Sequence, residues 1–189
     1  MKHVGMNVAA DAFVNSAMTG ANGGLIVVAA DDPSMHSSQN EQDSRFYANF
    51  ALIPVLEPSS QQEAYDMVSY GMELSERFAI PVMMRITTRL AHSRGVVKAA
   101  TGPRDENNLS YPAETDRWVL MPGNSKRRYP ILIADYAALA KESETSTFNR
   151  YIPAADHSRG IIASGIAYNY LMENYPNGCS YPIVQIAHY

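Results

Sequence analysis

Cysteine is nearly absent: the 189 residues hold one, Cys179. A single thiol excludes a disulfide framework, a CxxC redox pair and a cysteine-rich cluster site. Basic residues are few and scattered. Lysine and arginine total 15 against 19 aspartates and glutamates, and the densest basic run is Lys126-Arg127-Arg128. The resulting charge of −4 argues against a nucleic-acid partner. Long apolar runs are missing too. The longest, such as Leu25–Ala30, fall far short of the roughly 20 residues of a membrane-spanning helix. Asn7 and Asp11 interrupt the N-terminal stretch where a secretory signal stays apolar. The five histidines show no HxxxH or HExxH spacing, so no metal site is legible. What remains is 46% hydrophobic and 18% charged residues, the balance of a soluble, cytoplasmic globular protein.

Periodicity organises the first half. Met6, Ala9, Ala10, Phe13, Val14 and Ala17 predict an amphipathic helix near 5–18, stopped by the turn residues Thr19–Gly24. Leu25–Ala30 is a strand buried on both faces. Phe46, Tyr47 and Phe50 mark a short helix, Ile53–Leu56 a second strand, and Ile80–Thr87 a third. Pro58–Glu63 (PSSQQE), with a serine followed three positions on by Gln or Glu, is a helix start, and Ala64, Met67, Val68, Gly71, Ser75 and Phe78 continue its apolar face. Strand–helix alternation of this kind makes a parallel α/β sheet, whose ligands bind beyond the carboxyl ends of the strands. Ala30–Arg45, holding one large apolar side chain (Met35), and Thr87–Gly95 both occupy such positions.

Residues 98–128 lose periodicity and read as a linker, with Pro103, Pro112 and Pro122. A second unit follows: a helix over Ile131–Asn149, a strand Gly160–Ser164, a helix Gly165–Glu173 and a strand Pro182–Ala187. Both units carry few strands for a sheet, so the chain reads as the middle of something longer. Apolar edges left open are expected to drive homodimerisation or aggregation.

Short motifs decide little. Asp31-Asp32 at a strand end could serve metal or acid–base chemistry, but such pairs more often cap turns. Ser164 lies between a strand and a helix, yet Ile162 stands where a G-x-S-x-G nucleophile elbow has its first glycine. Thr19–Gly24 follows a helix rather than opening one, so its glycines form a turn and not a phosphate cradle. Arg45, Arg85 and Arg89 read as ion-pair or surface residues.

Longer segments carry more. Met1–Asp11 (MKHVGMNVAAD), Gly23–Ala51 (GGLIVVAADDPSMHSSQNEQDSRFYANFA), Glu57–Val68 (EPSSQQEAYDMV) and Thr87–Val97 (TTRLAHSRGVV) closely resemble the alpha subunits of indolepyruvate:ferredoxin oxidoreductases. These are a branch of the thiamine-dependent 2-oxoacid:ferredoxin oxidoreductases. Gly160–Leu171 resembles the opening of that family's second domain. The resemblance implies an α/β chain in three parts: a partial thiamine-fold pyrimidine-type domain over 1–97, a linker over 98–128, and the start of a transketolase C-terminal-like domain over 129–189. It implies a parent enzyme that oxidatively decarboxylates aryl 2-oxoacids to acyl-CoA and reduces ferredoxin, with a beta subunit. Thiamine diphosphate, magnesium and iron–sulfur clusters would serve that parent. A pyruvate or 2-oxoglutarate:ferredoxin oxidoreductase is the alternative within the class, and a non-catalytic interaction module the alternative outside it.

The chain departs from the family pattern at its ends. The family's activating glutamate lies upstream of the stretch matched by Met1, and the Gly-Asp-Gly diphosphate motif and cluster cysteines do not occur. The expectation is that this chain alone binds no cofactor and is inert, with no catalytic residue of its own. By resemblance, Lys2, His3 and Asn7 lie near cofactor and substrate, with Lys2 or His3 facing a 2-oxoacid carboxylate. His36, Ser37, Ser38, Gln39 and Asn40 belong to a polar interface loop near the active site. That loop equally reads as self-capping, with Ser38 or Asn40 as N-cap of the next helix. Its density of donors and acceptors favours an ordered network over a flexible tether.

Overall fold

The computed structural model describes residues 1–102, 110, 111, 113 and 115–189. Three strands form a parallel sheet in the order β1-β3-β2: β1 is Ile26–Asp31, β2 Val55–Leu56 and β3 Val82–Thr87. Ile26 pairs with Val82 and Asp31 with Thr87, so the carboxyl ends of β1 and β3 finish level. Helices cover the sheet: α1 (His3–Val8), α2 (Ala10–Thr19), α3 (Arg45–Ala51) and α4 (Gln61–Phe78), and the short α5 (Thr88–His92) follows β3. The helix expected over 5–18 is broken at Ala9, whose backbone (φ −86°, ψ 5°) leaves helical geometry. The break lets Lys2, just ahead of α1, bridge to Ala30 at the edge of β1.

The start of α4 follows the sequence reading with one shift. Ser60 accepts from the Glu63 amide (3.2 Å), a cap worth about 1 kcal/mol. The Glu63 carboxylate reaches back past Ser60 to the amide (2.8 Å) and hydroxyl (2.7 Å) of Ser59. Met67, Gly71, Leu74 and Ser75 form the buried face of α4, and Val68, expected there, points to solvent. At Gly71 an added Cβ would stand 3.0 Å from both Ile26 and Leu56, so glycine sets how closely α4 packs on the sheet. Phe46 and Phe50 are exposed, and α3 buries Ala48 and Ala51 instead. Ser38 and Asn40 do not cap α3: Ser44 precedes it, with neither side chain serving as a cap.

In the second half, α6 runs Pro122–Glu144 and begins inside the stretch read as linker, with Pro130 within it. Proline suits the first helical turn, where its missing N–H costs nothing, and Pro122 stands there. A mixed sheet follows in the order β4-β6-β5, with β4 Arg150–Ile152, β5 Ile161–Ser164 and β6 Ile183–Ile186. Strand β4, unforeseen from the sequence, runs antiparallel to β6. Helix α7 (Ile166–Asn174) leaves β5 through Gly165.

Beyond β6 the chain crosses to the first sheet and pairs antiparallel with the free edge of β2. Val55 donates to Tyr189 O (2.7 Å), Tyr189 to Val55 O (3.1 Å) and Glu57 to Ala187 O (2.8 Å). The β2 edge is therefore covered from within the chain. Asn149 fixes the crossing by donating to His188 O (2.7 Å) and Ser143 O (2.8 Å) and accepting from the amides of Ala187 and His188. Among the described residues no helix is long and apolar enough to cross a membrane.

Candidate functional site at the carboxyl edge of the parallel sheet

The polar stretch after β1 is anchored by the two aspartates that end the strand. Asp31, fully buried, accepts from the Ser44 amide (2.9 Å) and hydroxyl (2.5 Å). Asp32 accepts from Ser38 Oγ (2.6 Å), Thr88 Oγ1 (2.6 Å) and the Ser37 amide (2.9 Å). Those bonds, with the Lys2 ammonium 3.6 Å away, hold the Asp32 carboxyl far below the ordinary carboxylate range against the opposing effect of burial. The turn-capping reading of this pair is the one the structure shows. Between the anchors Ser34 (φ 65°) and Met35 (φ 54°) adopt left-handed backbone. Such strain persists only where the surroundings impose it. Here Glu41 takes the Ser34 amide (3.1 Å) and Asp32 O takes the Met35 amide (3.0 Å).

Below the loop, Arg85 in the middle of β3 organises a buried ion cluster. Its Nε donates to Asp31 (2.7 Å) and its Nη1 to Glu57 (2.5 Å). Burial works against the guanidinium charge, but Glu57 and Asp31 outweigh it and hold Arg85 more firmly protonated. Glu57 also accepts from the Tyr189 hydroxyl (2.7 Å), which carries the cluster into the second half. Burial, then the Glu57 charge, push that phenol well above its ordinary range. Gly165 comes so close to Glu57 that an added Cβ would stand 2.6 Å from Oε1, and its φ of +52° also favours glycine.

A cavity of about 310 Å³ opens at the carboxyl ends of β1 and β3, lined by Pro33, Ser34, His36, Thr87, Thr88, Arg89, Ile166 and Tyr170. Arg89 lies over the Tyr170 ring (5.8 Å) and has no carboxylate partner among the described residues. Thr87 Oγ1 is buried and without a hydrogen-bond partner. Cationic and hydroxyl groups on one wall face an aliphatic and an aromatic side chain on the other. That chemistry suits an anion carrying an apolar group.

Of the eight site residues expected from the sequence, His36 lines this cavity. Lys2 is taken up by the loop, donating to Ser37 O (2.8 Å) and Ser37 Oγ (3.1 Å). Ser37 and Ser38 face Asp32. Asn7 accepts from the Tyr47 hydroxyl (2.5 Å), and Asn40 from Gln42 (3.1 Å). Gln39 is exposed. His3 is fully buried with both ring nitrogens unpartnered, so its side chain reaches no solute. Thr87, Thr88 and Arg89 lie at a strand end the sequence flagged, but their convergence with Tyr170 did not follow from it.

Thiamine diphosphate and magnesium, implied by the resemblance, do not fit the residues present. The buried carboxylates are committed: Asp31 to Ser44 and Arg85, Glu57 to Arg85 and Tyr189, Glu63 to Ser59, Gln185 and Arg150. Among the described residues no buried carboxylate is left to hold an aminopyrimidine nitrogen. Among the described residues no cluster of three His, Cys, Asp or Glu side chains could hold a metal ion.

No protein-family model matches the chain. Curated relatives do. Indolepyruvate oxidoreductase subunit IorA of Pyrococcus horikoshii is 46% identical over 178 residues, 92% of this chain and 28% of that protein. The IorA subunits of Methanothermobacter thermautotrophicus (39% over 188 residues) and Archaeoglobus fulgidus (40% over 189 residues) match 98% and 99% of the chain and 30% of their own length. Over that stretch the chain is similar to the IorA subunits. It spans less than a third of the relatives it matches. Among solved structures, the 2-oxoglutarate:ferredoxin oxidoreductase of Magnetococcus marinus, with 2-oxoglutarate, coenzyme A and succinyl-CoA bound, aligns with 98% of this chain and 40% of its own. The TM-score is 0.65 at 12% identity, a likeness of fold.

Proposed function

We propose that this IorA-like chain is part of an oxidoreductase that converts aryl 2-oxoacids such as indolepyruvate to acyl-CoA and passes the electrons to ferredoxin. The observation that carries the reading is the near-complete match of the chain to IorA subunits at 39–46% identity. The cavity at the carboxyl edge supports it. Arg89 and His36 supply donors for a carboxylate, Thr87 supplies a free hydroxyl for an oxo group, and Ile166 and Tyr170 give an apolar wall for an aryl group. The loop anchored by Asp31 and Asp32 forms a second wall, and Lys2, Ser37 and Ser38 hold it rather than touch substrate. In the parent the thiamine diphosphate, magnesium and iron–sulfur clusters come from outside these residues, as do the beta subunit and the ferredoxin contact. The chain alone is catalytically inert and works in the cytoplasm.

The test is a chimera in which these residues replace the matching stretch of the Pyrococcus horikoshii subunit, assembled with the rest of that enzyme. Indolepyruvate-dependent dye reduction is expected to persist, and Arg89→Ala in the chimera is expected to raise KM at least about tenfold, the loss of one charge-assisted hydrogen bond. An assembled chimera that oxidises no aryl 2-oxoacid overturns the reading. Preference for 2-oxoglutarate or pyruvate transfers it to the alternative within the class. For the isolated chain, calorimetric titration with thiamine diphosphate and magnesium should show no heat at millimolar ligand, and saturable binding refutes the claim that the chain has no cofactor grip.

A further inference from the structure

Helix α6 carries more apolar surface than it buries. From Tyr129 to Ala140 (YPILIADYAALA) its only charged residue is Asp135, and a helix apolar on every side is ordinarily enclosed. Here Leu132 and Leu139 alone are buried, while Tyr129, Ile131, Ile133 and Tyr136 are 41–55% exposed. At 3.6 residues per turn two seams run along the helix. The inner one, Arg128, Leu132, Asp135, Leu139 and Glu142, turns to the rest of the molecule: Arg128 donates to Met18 O of α2, and Glu142 accepts from Arg77 of α4. The outer one, Lys126, Pro130, Ile133, Ala137, Ala140 and Glu144, is exposed at every position. Its alternating steps of four and three residues are those of a coiled-coil seam.

The outer seam is complementary to itself. Laid antiparallel on a second copy, with the two-fold axis level with Asp135, it sets Ile133 against Ala137, Pro130 against Ala140 and Lys126 against Glu144. Larger side chains meet small ones, which lets the facing helices interdigitate, and each end brings opposite charges together. Neither Lys126 nor Glu144 has a hydrogen-bond or ion-pair partner among the described residues, so both are available. Glu144 also lies in the last turn, where the helix dipole disfavours an anion, and a facing lysine offsets that cost.

We infer that this face of α6 is a self-association surface, occupied by α6 of a second copy of this chain in an antiparallel two-fold dimer. The contact uses a helix face and no sheet edge. A single helix pair falls below the roughly 1,200–2,000 Å² of a standard interface, so the dimer is weak and dissociates on dilution.

Sedimentation velocity of the whole chain, with Cys179 kept reduced, should show a dimer whose share rises with concentration. The two-fold axis makes each substitution count twice. Glu144→Lys opposes like charges at both ends and should raise the dissociation constant at least about tenfold, equivalent to 1.4 kcal/mol. Lys126→Glu should do the same, and the double variant, which restores opposite charges, should return to native association. Both positions are exposed, so the fold tolerates the changes. Three results overturn the inference: a chain that stays monomeric at millimolar concentration, a dimer insensitive to Glu144→Lys, or a double variant as weak as the single ones.

Discussion

The two sheets are built from similar apolar strands and end in different states. In the first, β1 and β3 pair over six residues and β3 is buried at Val82, Met83, Met84, Arg85 and Thr87. In the second, β4 and β5 stay mostly half-buried or exposed, with Ile162 at 71% exposure. The second sheet is held chiefly through the inward residues of β6 and by what they touch across the seam. Gln185 donates to Glu63 (3.1 Å), Asn169 to Ser59 O (2.6 Å), and Arg77 of α4 bonds Glu142 of α6 (2.5 Å). The first unit owns its core and the second leans on it. Strand-like sequence alone does not tell a self-sufficient sheet from a dependent one.

The hardest break in that contrast is at Arg85. Arg85→Met removes the cation from between Asp31 and Glu57, leaving Asp31 without a cation and Glu57 with only Arg45 at 3.8 Å, and breaking such a cluster costs about 3–5 kcal/mol. Urea unfolding should show a loss of that order in both halves, because Glu57 also holds Tyr189. A loss below about 1 kcal/mol, in the range of an exposed pair, would mean the cluster does not join the two units.

His188 tests the seam by pH. Burial lowers its pKa to about 4, so the folded chain keeps the ring neutral beside Tyr70 (Nδ1 to hydroxyl 3.2 Å). Between about 6.5 and 4 the unfolded chain binds the extra proton, so stability is full above the ordinary histidine pKa and falls as pH drops through this window. The loss is up to about 3 kcal/mol, at 1.36 kcal/mol for each pKa unit. Denaturation at pH 7 and pH 4.5 should show that extra slope in the native chain and not in His188→Phe. Equal slopes would remove His188 from the account.

Much of the first unit was legible because its signals are local. The strand runs, the helix start within Pro58–Glu63 and the position of the polar loop all follow from neighbours in sequence. The cavity was half legible: parallel strands point to their carboxyl ends, and the loop and Thr87–Arg89 sit there. The rest is tertiary. Arg85 looks like any strand arginine until Asp31, Glu57 and Tyr189 converge on it, and His3 gives no sequence signal that it is sealed from solvent. Strand β4 is three residues long and exists only against β6, and the cover over β2 comes from residues more than a hundred positions away.

A smaller effect belongs to Asn169, whose amide reaches Ser59 O across the seam. Asn169→Ala should cost about 1 kcal/mol, one neutral hydrogen bond. Hydrogen exchange should rise in β5 and β6 and stay unchanged in β1 and β3. Equal acceleration in both sheets would mean the first does not stand without the second.

The smallest effect is expected where the sequence looks most like core. Phe46 and Phe50 carry the apolar signal of α3, yet they are 73% and 75% exposed, and the helix is held by Ala48 and Ala51. A side chain already in water loses little transfer free energy when truncated, so Phe46→Ser should change stability by no more than about 0.5 kcal/mol, the ordinary range for a surface site. Ala48→Ser at the buried position puts a hydroxyl among apolar neighbours, at about 1–3 kcal/mol if it finds no partner. The order of these two substitutions in urea unfolding is the point of the pair. If Phe46→Ser costs more, α3 in solution presents its phenylalanines to something in the molecule, and the packing of α3 against α2 is not the one described.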